Sequence, residues 1–156
     1  MIKILFICHG NICRSTMAEF VLKDMVARRG LTEQFHIESA ATSTEEIGNP
    51  VHPGTAAVLR EHGIGGFEGK RARQLRRADY DAFDFIIGMD TANIRNMNWI
   101  LGGDPDGKVL KLLEFAGTNR SVDDPWYTGD FEATWQDVLA GCQGLLHELM
   151  EGNEKC

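Results

Sequence analysis

Ile2-Lys3-Ile4-Leu5-Phe6-Ile7-Cys8 runs straight into His9-Gly10-Asn11-Ile12-Cys13-Arg14-Ser15. An apolar run interrupted only by Lys3 and stopped by a Gly-containing turn fits a central parallel strand covered on both faces. From Ser15 onward Met17, Phe20, Val21, Leu22, Met25 and Val26 recur at helical spacing. Glu19 is expected in the first turn of that helix, and Arg28, Arg29 and Gly30 close it. The order is strand, tight loop, helix, which points to an α/β protein.

The rest of the chain repeats that alternation. Phe35 to Glu38 reads as a second strand, followed by a polar loop through Ser39 to Pro53 and a helix ending at His62-Gly63. Phe83 to Met89 reads as a third strand. A helix from about Asp90 to Leu101 carries Ile94, Met97 and Leu101 on one face, and Val109 to Leu113 reads as a fourth strand. In the last helix Trp135, Val138, Leu139, Cys142, Leu145, Leu146 and Leu149 form one stripe, expected to pack on the sheet. No internal repeat, low-complexity tract or Pro/Gly/Ser-rich linker divides the chain. The expectation is a single three-layer domain over residues 1–156, a doubly wound four-stranded parallel sheet with helices on both faces.

Charge and cysteine usage narrow the function. Lys and Arg number 16 against 23 Asp and Glu, a net charge of −7, which argues against a general nucleic-acid or anionic-membrane binder. Any anion site must be local. The early apolar run from Ile4 to Cys8 is too short to span a bilayer or serve as a signal peptide, so a cytoplasmic protein is expected. Cys8, Cys13, Cys142 and Cys156 are too few for a disulfide scaffold and lack the paired spacing of a structural zinc site. His36, His52, His62 and His147 show no ligand spacing either, and neither metal nor cofactor is expected.

The first loop is a Cys-x5-Arg-Ser segment at the carboxyl end of the first strand, where open parallel sheets bind ligands. Running into a helix N-terminus, it can aim successive N–H groups at an oxyanion. Gly10 and Asn11 tolerate the left-handed backbone such a loop requires. Arg14 adds a planar fork that grips two phosphate oxygens, which lysine cannot do. Cys8 sits at the mouth of the cradle, where positive potential favours a nucleophilic thiolate, and the Ser15 hydroxyl can hydrogen-bond the sulfur.

A thiolate that attacks a phosphate ester needs a proton donor for the leaving oxygen. Asp124, held extended by Pro125 on the segment after the fourth strand, can supply it and later take a proton from water. Asp123 lacks the proline constraint and ranks behind it. Trp126 and Tyr127 offer flat walls for an aromatic leaving group. Taken alone, a cysteine ending a buried strand is usually a small core hydrophobe; the loop that follows Cys8 reverses those odds. Arg71, Arg73, Arg76 and Arg77 read as a solvated basic face rather than a docking patch. Cys142 reads as core and Cys156 as incidental.

These residues resemble the low-molecular-weight protein tyrosine phosphatases along essentially the whole chain. The matching stretches are Cys8-x-Gly10-Asn11-Ile12-Cys13-Arg14-Ser15 with Met17-Ala18-Glu19, Ser39-Ala40-Ala41-Thr42-Ser43 with Gly48-Asn49-Pro50, Ala72-Arg73-Gln74-Leu75, Met89-Asp90, and Asp124-Pro125-Trp126-Tyr127. The resemblance implies Cys8 as nucleophile, Arg14 as phosphate clamp and Asp124 as general acid. It also implies that Ser39 holds Asn11 and that Cys13 can form a reversible disulfide with Cys8. Phosphotyrosine-containing proteins would be the partners, phosphate or another oxyanion the ligand, and a monomer or weak dimer the expected state. His9, Thr16, Glu45 and Lys70 depart from the commoner pattern; Glu45 stands where many relatives place an aromatic, and Lys70 where many place a histidine.

Three alternatives fit these residues less well. An arsenate reductase of this fold needs further redox cysteines, and none lies between Cys13 and Cys142. A protein arginine phosphatase would carry a smaller polar residue at Ile12, whereas Ile12 with Trp126 and Tyr127 favours phosphotyrosine. A non-catalytic phosphotyrosine-binding module would have lost the nucleophile or the acid, and both are present.

Overall fold

A computed structural model describes residues 1–154; Cys156 lies outside the described residues. Strand β1 spans Ile2–Cys8, α1 Arg14–Arg28, β2 Phe35–Ala41, α2 Pro53–Glu61, α3 Asp79–Ala82, β3 Phe85–Gly88, α4 Thr91–Leu101, β4 Val109–Lys111, α5 Pro125–Thr128 and α6 Phe131–Glu154. All strands pair in parallel in the order β2-β1-β3-β4, with Ile2 opposite Phe35 and Cys8 opposite Ala41 on one side of β1, and Ile4 opposite Phe85 on the other.

The apolar run of β1 is explained by its place. Ile4, Phe6 and Cys8 face a core shared with α1, α2 and α6, while Leu5 and Ile7 face a second core shared with α4. Ile4 to Ile7 are fully buried, each contributing roughly 1.5–3 kcal/mol of transfer free energy. The chain leaves β1 for β2 on one side, then crosses to β3 on the other. The crevice beyond the carboxyl ends of β1 and β3 is therefore the switch point at which such sheets bind ligands.

Several boundaries differ from the sequence reading. β2 continues past Glu38 to Ala41, because the 73–75 segment extends the sheet edge beside it: Ala41 N donates to Arg73 O and Leu75 N to Ala41 O. β3 begins at Phe85 rather than Phe83, since Asp79 accepts from Arg76 N and the Arg73 guanidinium and starts a one-turn helix that Phe83 terminates. β4 ends at Lys111, and Leu112 and Leu113 turn under α6 in a 3-10 segment, Leu112–Ala116. α1 begins at Arg14, so Glu19 lies in its second turn, not its first. α6 packs on α1, α2 and the Leu112–Ala116 segment, and its apolar stripe joins the core on one face of the sheet, with Ile4 and Phe6 of β1. Glycine makes that approach possible: a Cβ on Gly144 would stand 1.9 Å from the Phe115 carbonyl oxygen. Cys142 is core, as read, with its thiol toward the Ala18 carbonyl and burial pushing its pKa up. Among the described residues no helix is long and apolar enough to cross a membrane.

Candidate active site

Four carbonyls along the Cys8–Cys13 stretch between β1 and α1 are occupied. Cys8 O accepts from Thr42 N, His9 O from Ser43 N, and Ile12 O from His52 N. Cys13 O accepts from Met17 N and from the Thr16 and Thr55 hydroxyls. The amides of Gly10, Ile12, Cys13, Arg14 and Ser15 have no protein acceptor among the described residues, although Ile12, Cys13, Arg14 and Ser15 are buried. α1 also starts without a side-chain cap. Buried donors are nearly always paired, and an uncapped helix start carries partial positive charge. An oxyanion is the ligand this arrangement fits.

Asn11 alone supplies the left-handed turn, at φ 58°; Gly10 does not adopt positive φ. What Gly10 provides is proximity, because a Cβ there would lie 3.3 Å from the Glu46 Cγ. The cost of the Asn11 conformation is offset by its side chain. Nδ2 donates to Ser15 Oγ at 2.8 Å and Ser39 Oγ at 2.9 Å, and Oδ1 accepts from Arg73 N at 3.2 Å. The Ser39 hydroxyl donates in turn to Glu19, whose buried carboxylate also pairs with Lys23 at 2.6 Å and Lys70 at 3.5 Å. Lys70 Nζ further donates to Ser39 O at 2.7 Å, and burial, with Arg73 nearby, holds its pKa below the usual lysine value despite Glu19.

At the end of this chain Ser15 Oγ stands 3.1 Å from Cys8 Sγ. Its lone pair already accepts from Asn11, so its O–H is free to point at the sulfur. Asn11 N donates to the same sulfur at 3.3 Å. Two donors thus converge on one sulfur. Cys13 has a different setting: burial and the negative charge of Cys8 push its thiol up to about 12, only partly opposed by Arg14.

Arg14 is fixed from one side. Its Nη1 donates to Asp90 Oδ2 at 2.7 Å and Val122 O at 2.9 Å, and Nη2 makes a long 3.4 Å contact with Asp124 Oδ2. Nε makes no hydrogen bond among the described residues, so Nε and Nη2 are the donors left for an oxyanion. Burial pulls the guanidinium down, but Cys8, the Asp90 hydrogen bond and Asp124 hold it above its ordinary value. Asp90 is itself immobilised as the cap of α4, accepting from Asn93 N at 2.6 Å.

Asp124 is extended, as expected before proline, and caps the short α5 by accepting from Trp126 N at 3.1 Å. Val122 N bonds Met89 O, drawing this segment from beyond β4 back to the end of β3. The cleft above Cys8 is walled by Ile12, Asp124, Trp126 and Tyr127 and rimmed by His9, Glu45 and Glu46. Among the described residues no cluster of His, Cys, Asp and Glu could hold a metal.

The family model described as low molecular weight phosphotyrosine protein phosphatase matches residues 3–155. This chain belongs to that family. Its relative YfkJ of Bacillus subtilis, a low molecular weight protein-tyrosine-phosphatase, is 40% identical over 153 residues, covering 97% of each chain. The crystal structure of YfkJ superposes with a TM-score of 0.93 over 97% of this chain and 96% of its own. The low molecular weight protein tyrosine phosphatase SP-PTP of Streptococcus pyogenes gives 0.86 at 44% identity, over 96% of this chain and 93% of its own. The Drosophila arginine phosphatase DARP gives 0.85 at 28% identity, over 95% and 98%. The α/β fold with its β2-β1-β3-β4 sheet is that of the family.

The structure of this family member gathers Cys8 to Ser15, Ser39, Asp124, Trp126 and Tyr127 at one end of the sheet. The basic run does not form a solvated face throughout. Lys70 and Arg73 are turned inward, Arg73 onto Asp79 at 3.1 Å and Glu38 at 3.4 Å. Thr16 gives the loop a tie to Cys13 O where a proline could give none. Sequence reasoning assigned no role to Asp90, Glu19 or the Arg73 amide. A carboxylate just beyond the strand next to β1 at the switch point was the available signal for Asp90.

Proposed function

We propose that this phosphatase hydrolyses phosphotyrosine monoesters in proteins through a phosphocysteine intermediate. The observation that carries the reading is the Cys8 sulfur, held by Ser15 and Asn11 at a loop whose remaining amides lack protein acceptors among the described residues. The phosphoryl group sits in that cradle with Arg14 on its oxygens. The Cys8 thiolate attacks phosphorus in line, the bond to the tyrosyl oxygen breaks, and protonated Asp124 delivers its proton to the leaving phenolate. In the second half, the Asp124 carboxylate takes a proton from water, the water oxygen attacks phosphorus, and the P–S bond breaks. Ser15 O–H stabilises the departing thiolate, and inorganic phosphate leaves. Ile12, Trp126 and Tyr127 flank the aromatic ring of the substrate, and Ser39 acts through Asn11 to hold the loop.

Cys8, Cys13 and Cys142 are free, which suits the reducing cytoplasm, where we place this chemistry. Cys13 acts as a redox partner in second place only. Hydrogen peroxide oxidises the Cys8 thiolate to the sulfenic acid, and the Cys13 thiol then displaces water to form the disulfide.

The test is turnover of p-nitrophenyl phosphate and phosphotyrosine peptides in EDTA under reducing conditions. Cys8→Ser is expected to abolish it, and Asp124→Asn to lower kcat by roughly 10²–10⁴-fold. Wild-type inactivity with retained peptide binding would instead support a binding module. Preference for phosphoarginine over phosphotyrosine peptides would overturn the substrate assignment.

A further inference from the structure

The rim of the cleft is acidic, and its acidity is built into the cradle. Glu46 is half-buried, its Cγ lies against Gly10, and Oε2 accepts from Asn49 Nδ2 at 2.6 Å. No Lys, Arg or His nitrogen lies within 4.0 Å of it among the described residues. Glu45, exposed on the same loop, pairs across the mouth with His9 of the cradle at 2.9 Å. The cations that could have balanced these carboxylates point elsewhere. Among the described residues Arg14 is the one Lys or Arg in the cleft lining, and it is occupied by Asp90, Asp124 and the incoming phosphoryl group. Lys70 and Arg73 face inward, and Arg71 turns back to the carbonyls of Glu68 and Lys70.

We propose that Glu45 and Glu46 select phosphotyrosine segments flanked by lysine or arginine and disfavour those flanked by aspartate or glutamate. The inference rests on the phosphotyrosine reading above and deepens it. Once the dianion is seated, the floor of the cleft is neutralised, and the residues before and after the phosphotyrosine must pass over the lip. There they meet the Glu46 carboxylate, bonded to Asn49, and the Glu45 carboxylate, bonded to His9. Rim charges of this kind act chiefly on encounter and selection, and they are screened by salt. Trp126 and Tyr127, exposed beside the lip, grip the ring without distinguishing the sign of its neighbours.

The experiment compares kcat/KM for two phosphotyrosine peptides identical except for Lys/Arg or Asp/Glu flanks, at about 0.02 M and about 0.5 M NaCl. The wild type is expected to prefer the cationic peptide by roughly three- to ten-fold at low salt and to lose most of that preference at high salt. Glu46→Gln should reduce the ratio, Glu45→Gln/Glu46→Gln should bring it near unity, and Glu46→Lys should invert it. The ratio cancels any change common to both peptides. The salt series needs only the wild type, so a poorly folded variant does not remove the test. Equal turnover of both peptides by the wild type at low salt, or a preference that survives in the double variant, overturns the proposal. If p-nitrophenyl phosphate and both peptides are left unhydrolysed, the underlying function fails, a result distinct from unselective turnover.

Discussion

Between Cys8 and Cys13 the carbonyls of Cys8, His9, Ile12 and Cys13 are each tied to a donor outside the loop, and the side chain of Asn11 is bonded at both ends. A few ångströms above, Trp126 and Tyr127 stand 58% and 83% exposed, and Glu45 is held by a single surface imidazole. The cradle must place several dipoles on one point, where small displacements are costly. The lip has only to favour one class of approaching chain over another, for which loosely held charges and flat rings are enough. Rigidity is concentrated where bonds are made and broken.

The hardest way to break the cradle is through Arg14. Arg14→Lys keeps a positive charge but cannot hold Asp90 and Val122 O with one nitrogen while presenting two others to phosphate. Loss of roughly 10²–10³-fold in kcat is expected, comparable to removing an oxyanion donor elsewhere. Asp90→Asn keeps an acceptor but weakens the bond that fixes Arg14, and a smaller loss, roughly ten-fold, is expected in kcat with KM for phosphotyrosine also rising. Steady-state kinetics of the two single variants and the double should show non-additivity, because both act through one guanidinium. Additive losses would separate Asp90 from the clamp.

The comparison sharpens with a cradle residue that touches no substrate. Asn11→Ala leaves a left-handed residue with nothing to offset its strain of roughly 1–2 kcal/mol, and unties Ser15, Ser39 and the Arg73 amide. A lowered melting temperature and a several-fold fall in kcat are expected together. Trp126→Ala on the lip should instead raise KM for phosphotyrosine peptides a few-fold, leaving thermal stability within about 0.5 kcal/mol. Calorimetry and kinetics on the pair distinguish the two regions, and a stability loss at Trp126 matching that at Asn11 would erase the contrast.

That contrast also explains which parts of the site were readable from sequence. Cys8 to Ser15 is contiguous, so its strand, turn residues and helix start lie side by side in the chain, and periodicity with residue chemistry was enough to place them. Asp124 was marked by its proline and by following the last strand. Glu19 and Lys70 reach the cradle only through Ser39 and Asn11, across separations that periodicity does not register, and Glu19 read as an ordinary helix-start charge. Arg73 looked like a solvent-facing member of a basic run because nothing local announces the buried Asp79, and nothing local ties Lys70 to a buried carboxylate 51 positions away. The element ends misread at Glu38, Phe83 and Leu113 are likewise places where a tertiary partner, not local propensity, stops or extends the strand.

The smallest effect on turnover belongs to Cys13, the cradle's other sulfur, and its signature is in pH rather than rate. Burial and the charge of Cys8 raise its thiol from 9.0 to about 12. The folded protein therefore keeps this proton between those values while the unfolded chain releases it. The native state binds more protons there, and its contribution to stability is complete below pH 9 and is lost as pH rises toward 12. Lys70 acts in the opposite sense: its depressed pKa leaves the unfolded chain holding more protons up to the ordinary lysine value of about 10.4, so stability gains with pH in that range. Cys13→Ser should remove the Cys13 share of the falling component and leave that of the buried Cys142 thiol and the rising Lys70 component in place. Denaturation curves above pH 9 should then decline less steeply than wild type, by up to about 1.4 kcal/mol per pH unit, while kcat at pH 7 changes by less than about two-fold. Iodoacetamide at pH 7 should label Cys8 ahead of Cys13 in the wild type, read by mass spectrometry of the digest. Labelling of Cys13 first would mean that the donors of Ser15 and Asn11 do not mark the reactive sulfur, and the division between a reactive mouth and an inert wall within the cradle would fail.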